Sequence, residues 1–464
     1  MRLGIPVRRG YTRRRMPQTA QYRTAPVASK ELPKGIPYIV SNEMAERFSF
    51  YGMRTILVVF MTQYLMNRSG ELSVMREEEA KGYYHLFTSA AYFFPVLGAL
   101  LSDGLLGKYR TIIALSFVYC AGHAALALDD TRLGLALGLA LVAIGAGGIK
   151  PCVSAHVGDQ FGVLNQHLIP RTFAWFYFAI NLGSSVSTYL TPELLERYGP
   201  APDFALPGVM MFLATIVFWS GRHRFVHIPP GGFGFVREAL SGEGRQALAR
   251  LCGIYVFVAV FWSLYDQTGS AWVLQAEHLD RHWLGIEWLP AQIQVMNPLL
   301  ILVFIVLFNY GIYPALGRFV TLTPLRKISA GLFLMALSFC IPAWLESRIA
   351  AGETPSMGWQ VLAYVLLTAS EILVSITGLE FSYTQAPRKM KSIVMALFFL
   401  SISAGNLFTA AVNFFIQNDD GTSKLAGASY YWFFVVLMLA ASVLFVGVAK
   451  IYRGRTYIQG EGAA

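Results

Sequence analysis

The sequence predicts an all-α polytopic membrane protein, with twelve transmembrane helices in two six-helix bundles. Three observations carry this. Hydrophobic residues make up 55% of the 464 and charged residues only 14%, against roughly 25% charged in an ordinary soluble protein. The apolar residues fall in long runs, and a spanning helix needs about 20 of them. A Pro- and Gly-rich stretch at 224–247 divides the runs six and six. The same facts exclude a soluble domain and a disordered chain. Long runs also argue against a transmembrane barrel, whose strands alternate.

Residues 1–34 carry nine basic residues, from Arg2 to Lys34, against Glu31 alone. No apolar stretch follows the first arginines, so this is no secretory signal. It reads as a disordered cytoplasmic tail near anionic lipid, with Met16 as a second possible start. The apolar segments run roughly 36–66, 82–104, 109–128, 132–156, 170–191, 204–223, 248–275, 291–314, 325–347, 357–385, 391–416 and 427–452. The domains are then a tail at 1–34, a first bundle at 35–223, a cytoplasmic linker at 224–247, a second bundle at 248–452 and a tail at 453–464. Arg237 to Arg250 can form a short amphipathic helix on the membrane surface.

An even number of spans places both termini on one face. Beyond the N-tail, the connections on that face hold 17 basic residues and the opposite ones 8. By the positive-inside rule both termini are cytoplasmic. The net charge of +10 is mostly a topology signal and leaves nucleic acid no place. The expected setting is lipid, in a plasma or bacterial inner membrane. Gly107-Lys108-Tyr109-Arg110 after span two is echoed by Gly317-Arg318 and Arg326-Lys327 after span eight. Two such halves around a midplane site is the arrangement of major-facilitator transporters. Cys120, Cys152, Cys252 and Cys340 lie in or at the ends of apolar runs without metal-ligand spacing. They read as buried small residues, and no metal or other cofactor is expected.

Charge inside lipid costs roughly 2.5–3.5 kcal/mol per residue even on lenient scales. Glu43, Glu46, Arg47, Arg54, Lys150, Asp266, Glu371 and Glu380 nevertheless fall inside the spans. In span one, Glu43, Glu46, Arg47, Phe50 and Arg54 share one helical stripe. Glu43 and Arg47 are i,i+4 and can pair; Glu46 and Arg47 are neighbours that do not face each other directly. The alternative is a set of salt bridges locking span one in place. Lys150 ends the run Gly145-Ala146-Gly147-Gly148-Ile149-Lys150-Pro151. There it either pairs with a carboxylate or snorkels to the interface. His85 starts span two and is either a satisfied structural histidine or a titrating group near carboxylates. His123 and His156 read as structural.

These residues also carry a resemblance. Glu43-Met44-Ala45-Glu46-Arg47-Phe48-Ser49-Phe50-Tyr51 resembles the ExxERFxYY motif of proton-dependent oligopeptide transporters of the major facilitator superfamily. Gly98 to Lys108, Gly148 to Ser154 with Gly158-Asp159-Gln160-Phe161, Phe176 to Gly183, Phe261 to Gln267 and Glu371 to Pro387 resemble further motifs of that family, in the family's order. The resemblance implies proton coupling by Glu43, Glu46, Arg47, Lys150, His85 and Asp266. It implies substrate binding by Tyr51, Arg54, Tyr92, Lys150, Asn181, Trp262, Asn297 and Glu371. It implies gate ion pairs Arg54–Asp266 and Lys150–Glu371. Arg250 matches a span-seven arginine of animal members.

There are departures. Phe50 replaces the motif's first tyrosine, and Phe398 stands where a tryptophan is expected. The connections 224–247 and 348–356 are too short for the extra helices and the extracellular domain that some members carry.

The implied activity is proton-coupled import of di- and tripeptides by alternating access, with the chain working as a monomer and not as an enzyme. A short peptide is a zwitterion. Its carboxylate would meet Arg54 and Lys150, its amine Glu371, and its side chains the walls Tyr51, Tyr92, Trp262 and Phe398. Protonating a carboxylate would break an ion pair and let the halves rock. One proton falling through 100 mV releases about 2.3 kcal/mol, enough to concentrate a neutral peptide roughly 40- to 50-fold. No GxxxxGK[ST] phosphate loop and no HExxH occurs. The alternative is the same fold carrying another small solute, such as histidine or nitrate.

Overall fold

A computed structural model describes residues 22–232, 242–385, 391–420 and 422–452. Among these, helical segments of spanning length follow one another along the chain. They are α1 (Ile36–Gln63), α2 (Glu77–Leu106), α3 (Lys108–Leu128), α4 (Arg132–Asp159), α5 (Ile169–Tyr198), α6 (Pro200–His223), α7 (Leu248–Ala276), α8 (Pro290–Leu316), α9 (Pro324–Ala350), α10 (Gly358–Ser382), α11 (Ile393–Phe415) and α12 (Ala428–Ile451). Ten are long and apolar enough to cross a membrane. The other two, α1 and α5, have the length but too much polarity. In α1 the cause is its stripe of charges, which neighbouring helices must cover.

Two large cores form, one mainly from α1 to α6 and one from α7 to α12. Within the first, α3 packs on α4 and α6, and α1 on α5 and α6; within the second, α9 packs on α10 and α12, and α7 on α11. Across the halves, α2 lies along α11, and α5 meets α8. Small residues set the closest approaches. A Cβ on Gly98 of α2 would stand 2.6 Å from the Gly148 Cα of α4, too close for any side chain. Gly405 of α11 lies equally hard against the Ala259 carbonyl of α7.

Four segments are not regular helices. The helix of α7 stops at Tyr265, makes a 3₁₀ turn at Asp266–Gly269 and resumes at Ala271. The wide turns Ser102–Leu106, Phe308–Ile312 and Ile372–Ile376 are π-helical; the first ends α2, and the other two interrupt α8 and α10. Such interruptions mark functional sites, and two of them adjoin Asp266 and Glu371. On the face opposite the chain ends, His282–Trp283 and Ile286–Glu287 form a small hairpin. Leu284 and Gly285 both take positive φ at its two-residue turn, as a right-twisted hairpin requires.

One expectation is corrected. Residues 22–34 are not a free tail. Arg23 pairs with Val226, its carbonyl accepts from the His227 amide (2.7 Å), and Asn165 donates to the Glu31 carbonyl (3.0 Å). The peptide groups of this stretch find partners on the bundle, which orders it. Residues 1–21 lie outside the described residues. Of the surface helix expected at Arg237–Arg250, residues 237–241 lie outside the described residues; from Gly242 the chain is helical through to Tyr265. Residues 233–241 are outside the described set.

Candidate functional site

A cavity of about 790 Å³ lies between the halves, within the range of about 300–1,000 Å³ of ligand sites. Tyr51, Arg54, Tyr92 and Asn181 line it from the first half, and Trp262, Tyr265, Asn297 and Glu371 from the second. It extends to Tyr313, Lys327 and Glu380. These sit at the ends of α8, α9 and α10 nearest the chain termini, so the cavity opens toward that face.

The opposite end is closed by bonds between halves. Arg54 forms an ion pair with Asp266 across the halves, and within its own half its Nε donates to the Tyr84 hydroxyl (2.7 Å). Asn406 Nδ2 donates to Asp266 Oδ2 (2.6 Å). His85 bridges Asn406 Oδ1 (2.8 Å) and Ser270 Oγ (2.9 Å). Further out, Gln294 donates to the Thr55 carbonyl (3.1 Å), Gln63 to Glu277 (3.0 Å) and Arg76 to the Asn418 carbonyl (3.0 Å). Burial just beyond the end of α7 pushes the Glu277 carboxyl above the usual carboxylate range.

Glu371 is held in the wall by Asn297 Nδ2 (2.7 Å), whose own Oδ1 accepts from the Tyr265 hydroxyl (3.1 Å). Asn181 donates to the Tyr177 carbonyl (2.9 Å), four residues earlier on α5. The Trp262 indole N–H is buried, has no hydrogen-bond partner among the described residues and belongs to a residue that lines the cavity. That leaves a donor for a ligand.

Glu43, Glu46, Arg47 and Lys150 are not in the cavity wall. Arg47 Nε donates to Glu43 (2.8 Å), and its Nη2 lies 2.7 Å from Glu46 Oε2. The long arginine side chain thus reaches the adjacent glutamate, which neighbouring positions on the helix surface did not suggest. The Lys150–Glu371 ion pair is not made. Lys150 Nζ lies over the rings of Phe50 (4.1 Å) and Tyr92 (4.2 Å) and has no hydrogen-bond partner among the described residues. The two aromatic faces offer the ammonium a cation–π site, and Tyr92 stands between it and the cavity. Phe398 is not in the lining either; it is buried edge-on to Tyr255 (6.0 Å). Arg250 is exposed at the start of α7.

Among the described residues no group of three His, Cys, Asp or Glu is placed to hold a metal ion. A family model described as the POT family matches residues 109–239 and 233–433. The chain belongs to the POT family. This POT-family chain is 40% identical over 364 residues to "Peptide transporter family 1" of Drosophila melanogaster, covering 68% of this chain and 48% of that protein. It is 34% identical over 407 residues to human "Solute carrier family 15 member 2", covering 76% and 55%. It spans about half the length of the curated relatives it matches. Its fold matches the crystal structure of the POT family transporter PepTSo with a TM-score of 0.84 at 34% identity, covering 91% of this chain and 98% of that one. It also matches an auto-inhibited POT family peptide transporter with a TM-score of 0.83 at 35% identity, covering 93% and 99%. It is an integral membrane protein.

Tyr84, Ser270 and Asn406 were given no site role from the sequence, nor were the wall residues Tyr177, Tyr265 and Tyr364, although Tyr177 and Tyr265 lie within two of the motif segments. One signal was present: Asn406, Thr409 and Asn413 recur at helical spacing through the apolar run of α11. A search confined to charged groups passes over an uncharged amide.

Proposed function

We propose that this chain is a proton-coupled symporter that imports di- and tripeptides by alternating access. Both termini lie in the cytoplasm of a cell-membrane protein that acts as a monomer. The observation that carries this reading is one cavity whose walls oppose a cation from the first half, Arg54, to a carboxylate from the second, Glu371. A zwitterionic peptide matches that pair at both ends. Its amine meets Glu371, already oriented by Asn297, and its carboxylate lies toward Arg54. Trp262 and Asn181 offer hydrogen bonds to the backbone that all peptides share. Tyr51, Tyr92, Tyr177 and Tyr265 give side-chain room without strict selection. Lys150 contributes once Tyr92 turns aside.

Glu46 with Arg47 and Glu43, and Asp266 with Arg54, are the two groups of carboxylates where proton uptake breaks an ion pair. Losing one partner of a buried pair costs about 3–5 kcal/mol, which suffices to shift an equilibrium between two arrangements of the halves. With the far side closed and the cavity open toward the termini, the state described is cytoplasm-facing. A lone anion such as nitrate leaves Glu371 and Glu380 in the wall unanswered, which favours the peptide. The test is competition. Unlabelled di- and tripeptides should displace labelled dialanine from proteoliposome uptake; displacement by free amino acids or nitrate alone would refute the peptide reading.

A further inference from the structure

Arg54, Asp266, Asn406, His85 and Ser270 form an unbroken chain of contacts through α1, α7, α11 and α2. The direction of each bond is fixed by chemistry. Asn406 Nδ2 lies 2.6 Å from Asp266 Oδ2 and 3.0 Å from the Ile402 carbonyl oxygen. Both oxygens only accept, so the atom between them is the amide nitrogen. The other amide atom, Oδ1, is therefore the one 2.8 Å from His85 Nδ1. An amide oxygen cannot donate, so Nδ1 carries hydrogen. In a neutral imidazole the lone pair is then on Nε2, 2.9 Å from Ser270 Oγ, whose hydroxyl donates to it.

We propose that Asn406 is a positioning residue: it holds neutral His85 as the Nδ1–H tautomer while the far side is closed. The proton acceptor of this ring is then Nε2, facing Ser270 at the break in α7. On proton uptake one N–H bond forms at Nε2 as one O–H bond of a hydronium ion breaks, and the hydronium leaves as neutral water. The Ser270 O–H rotates away, and its oxygen turns from donor to acceptor. No other bond in the chain of contacts has to reverse. The ring gains a positive charge one amide away from Asp266, which gives that carboxylate a cation other than Arg54. The charged and titratable groups around His85 are Asp266 from α7, Arg54 from α1, and Lys81 and Tyr84 from α2; α11 supplies the neutral Asn406.

The proposal rests on the proton-coupled reading and specifies the atom and the residue that serve it. The test is nitrogen NMR of the full chain in nanodiscs with ¹⁵N-labelled histidine, His85 being assigned by its loss in His85→Gln. The expected wild-type signal is Nδ1–H. Asn406→Leu, which removes the acceptor, should move the ring toward Nε2–H; Asn406→Asp, which keeps an acceptor, should not. An Nε2–H ring in the wild type, or an Nδ1–H ring unchanged in Asn406→Leu, overturns the proposal. The wild-type spectrum decides even where Asn406→Leu fails to fold. In proteoliposomes the ratio of pH-driven accumulation to counterflow should fall about tenfold in Asn406→Leu, the equivalent of about 1.4 kcal/mol; an unchanged ratio also overturns it. Wild-type protein without counterflow would sink the transport reading and leave the tautomer result intact, so the two failures are distinguishable.

Discussion

Glu46 is fully buried, and Arg47 Nη2 lies 2.7 Å from its carboxylate. Replacing it by Gln keeps the shape but removes the ionisable carboxylate that the proposed coupling needs. Glu46→Gln should abolish pH-driven accumulation in proteoliposomes while counterflow persists; full accumulation would end its coupling role. Lys150→Ala should lose driven uptake as well, since Lys150 is the cation packed on Phe50 and Tyr92. Uptake at the wild-type rate would make Lys150 structural. The charged stripe of α1 was readable in the sequence because helical periodicity fixes which side chains share a face. The partner of Lys150 was not. That choice depends on a rotamer and on two rings brought in by α1 and α2, and ring faces compete with carboxylates for an ammonium. Asn406 was hidden for a different reason: its role depends on what lies at each end of its amide, a property of the packed structure.

At the scale of elements, the helix order and the close contacts were largely visible. Glycine-rich runs such as Gly145 to Gly148 announce helices that touch, and Gly98 does touch α4 at Gly148. Gly98→Ala must push α2 from α4. Overpacking of this kind costs about 1–3 kcal/mol, so the melting temperature in detergent should fall by several degrees; an unchanged value would mean that the contact yields freely. The interruptions were not visible. A π turn closes each hydrogen bond one residue further along than an α-helix and leaves no compositional mark, and the turn after Glu371 contains neither Pro nor Gly. The ordered course of residues 22–34 was missed because their partners, Asn165, Val226 and His227, come from distant parts of the chain.

At the scale of the molecule, two bundles enclose one cavity, closed at one end by Arg54–Asp266 and its neighbours. Asp266→Asn leaves Arg54 without its ion and should weaken that closure. Spin labels at Ser69 and Thr422, exposed on the closed face in opposite halves, should show a longer population by pulsed EPR in Asp266→Asn than in the wild type. An identical distribution would show that the pair does not hold the halves together.

The central claim is that the charges around this cavity couple a proton to a peptide, and uptake of labelled dialanine into proteoliposomes under an imposed inward proton gradient tests it most directly. The account predicts accumulation above the external concentration, collapse when an ionophore dissipates the gradient, and no accumulation in Glu46→Gln. Uptake that never exceeds equilibration, or accumulation indifferent to the gradient, would contradict it.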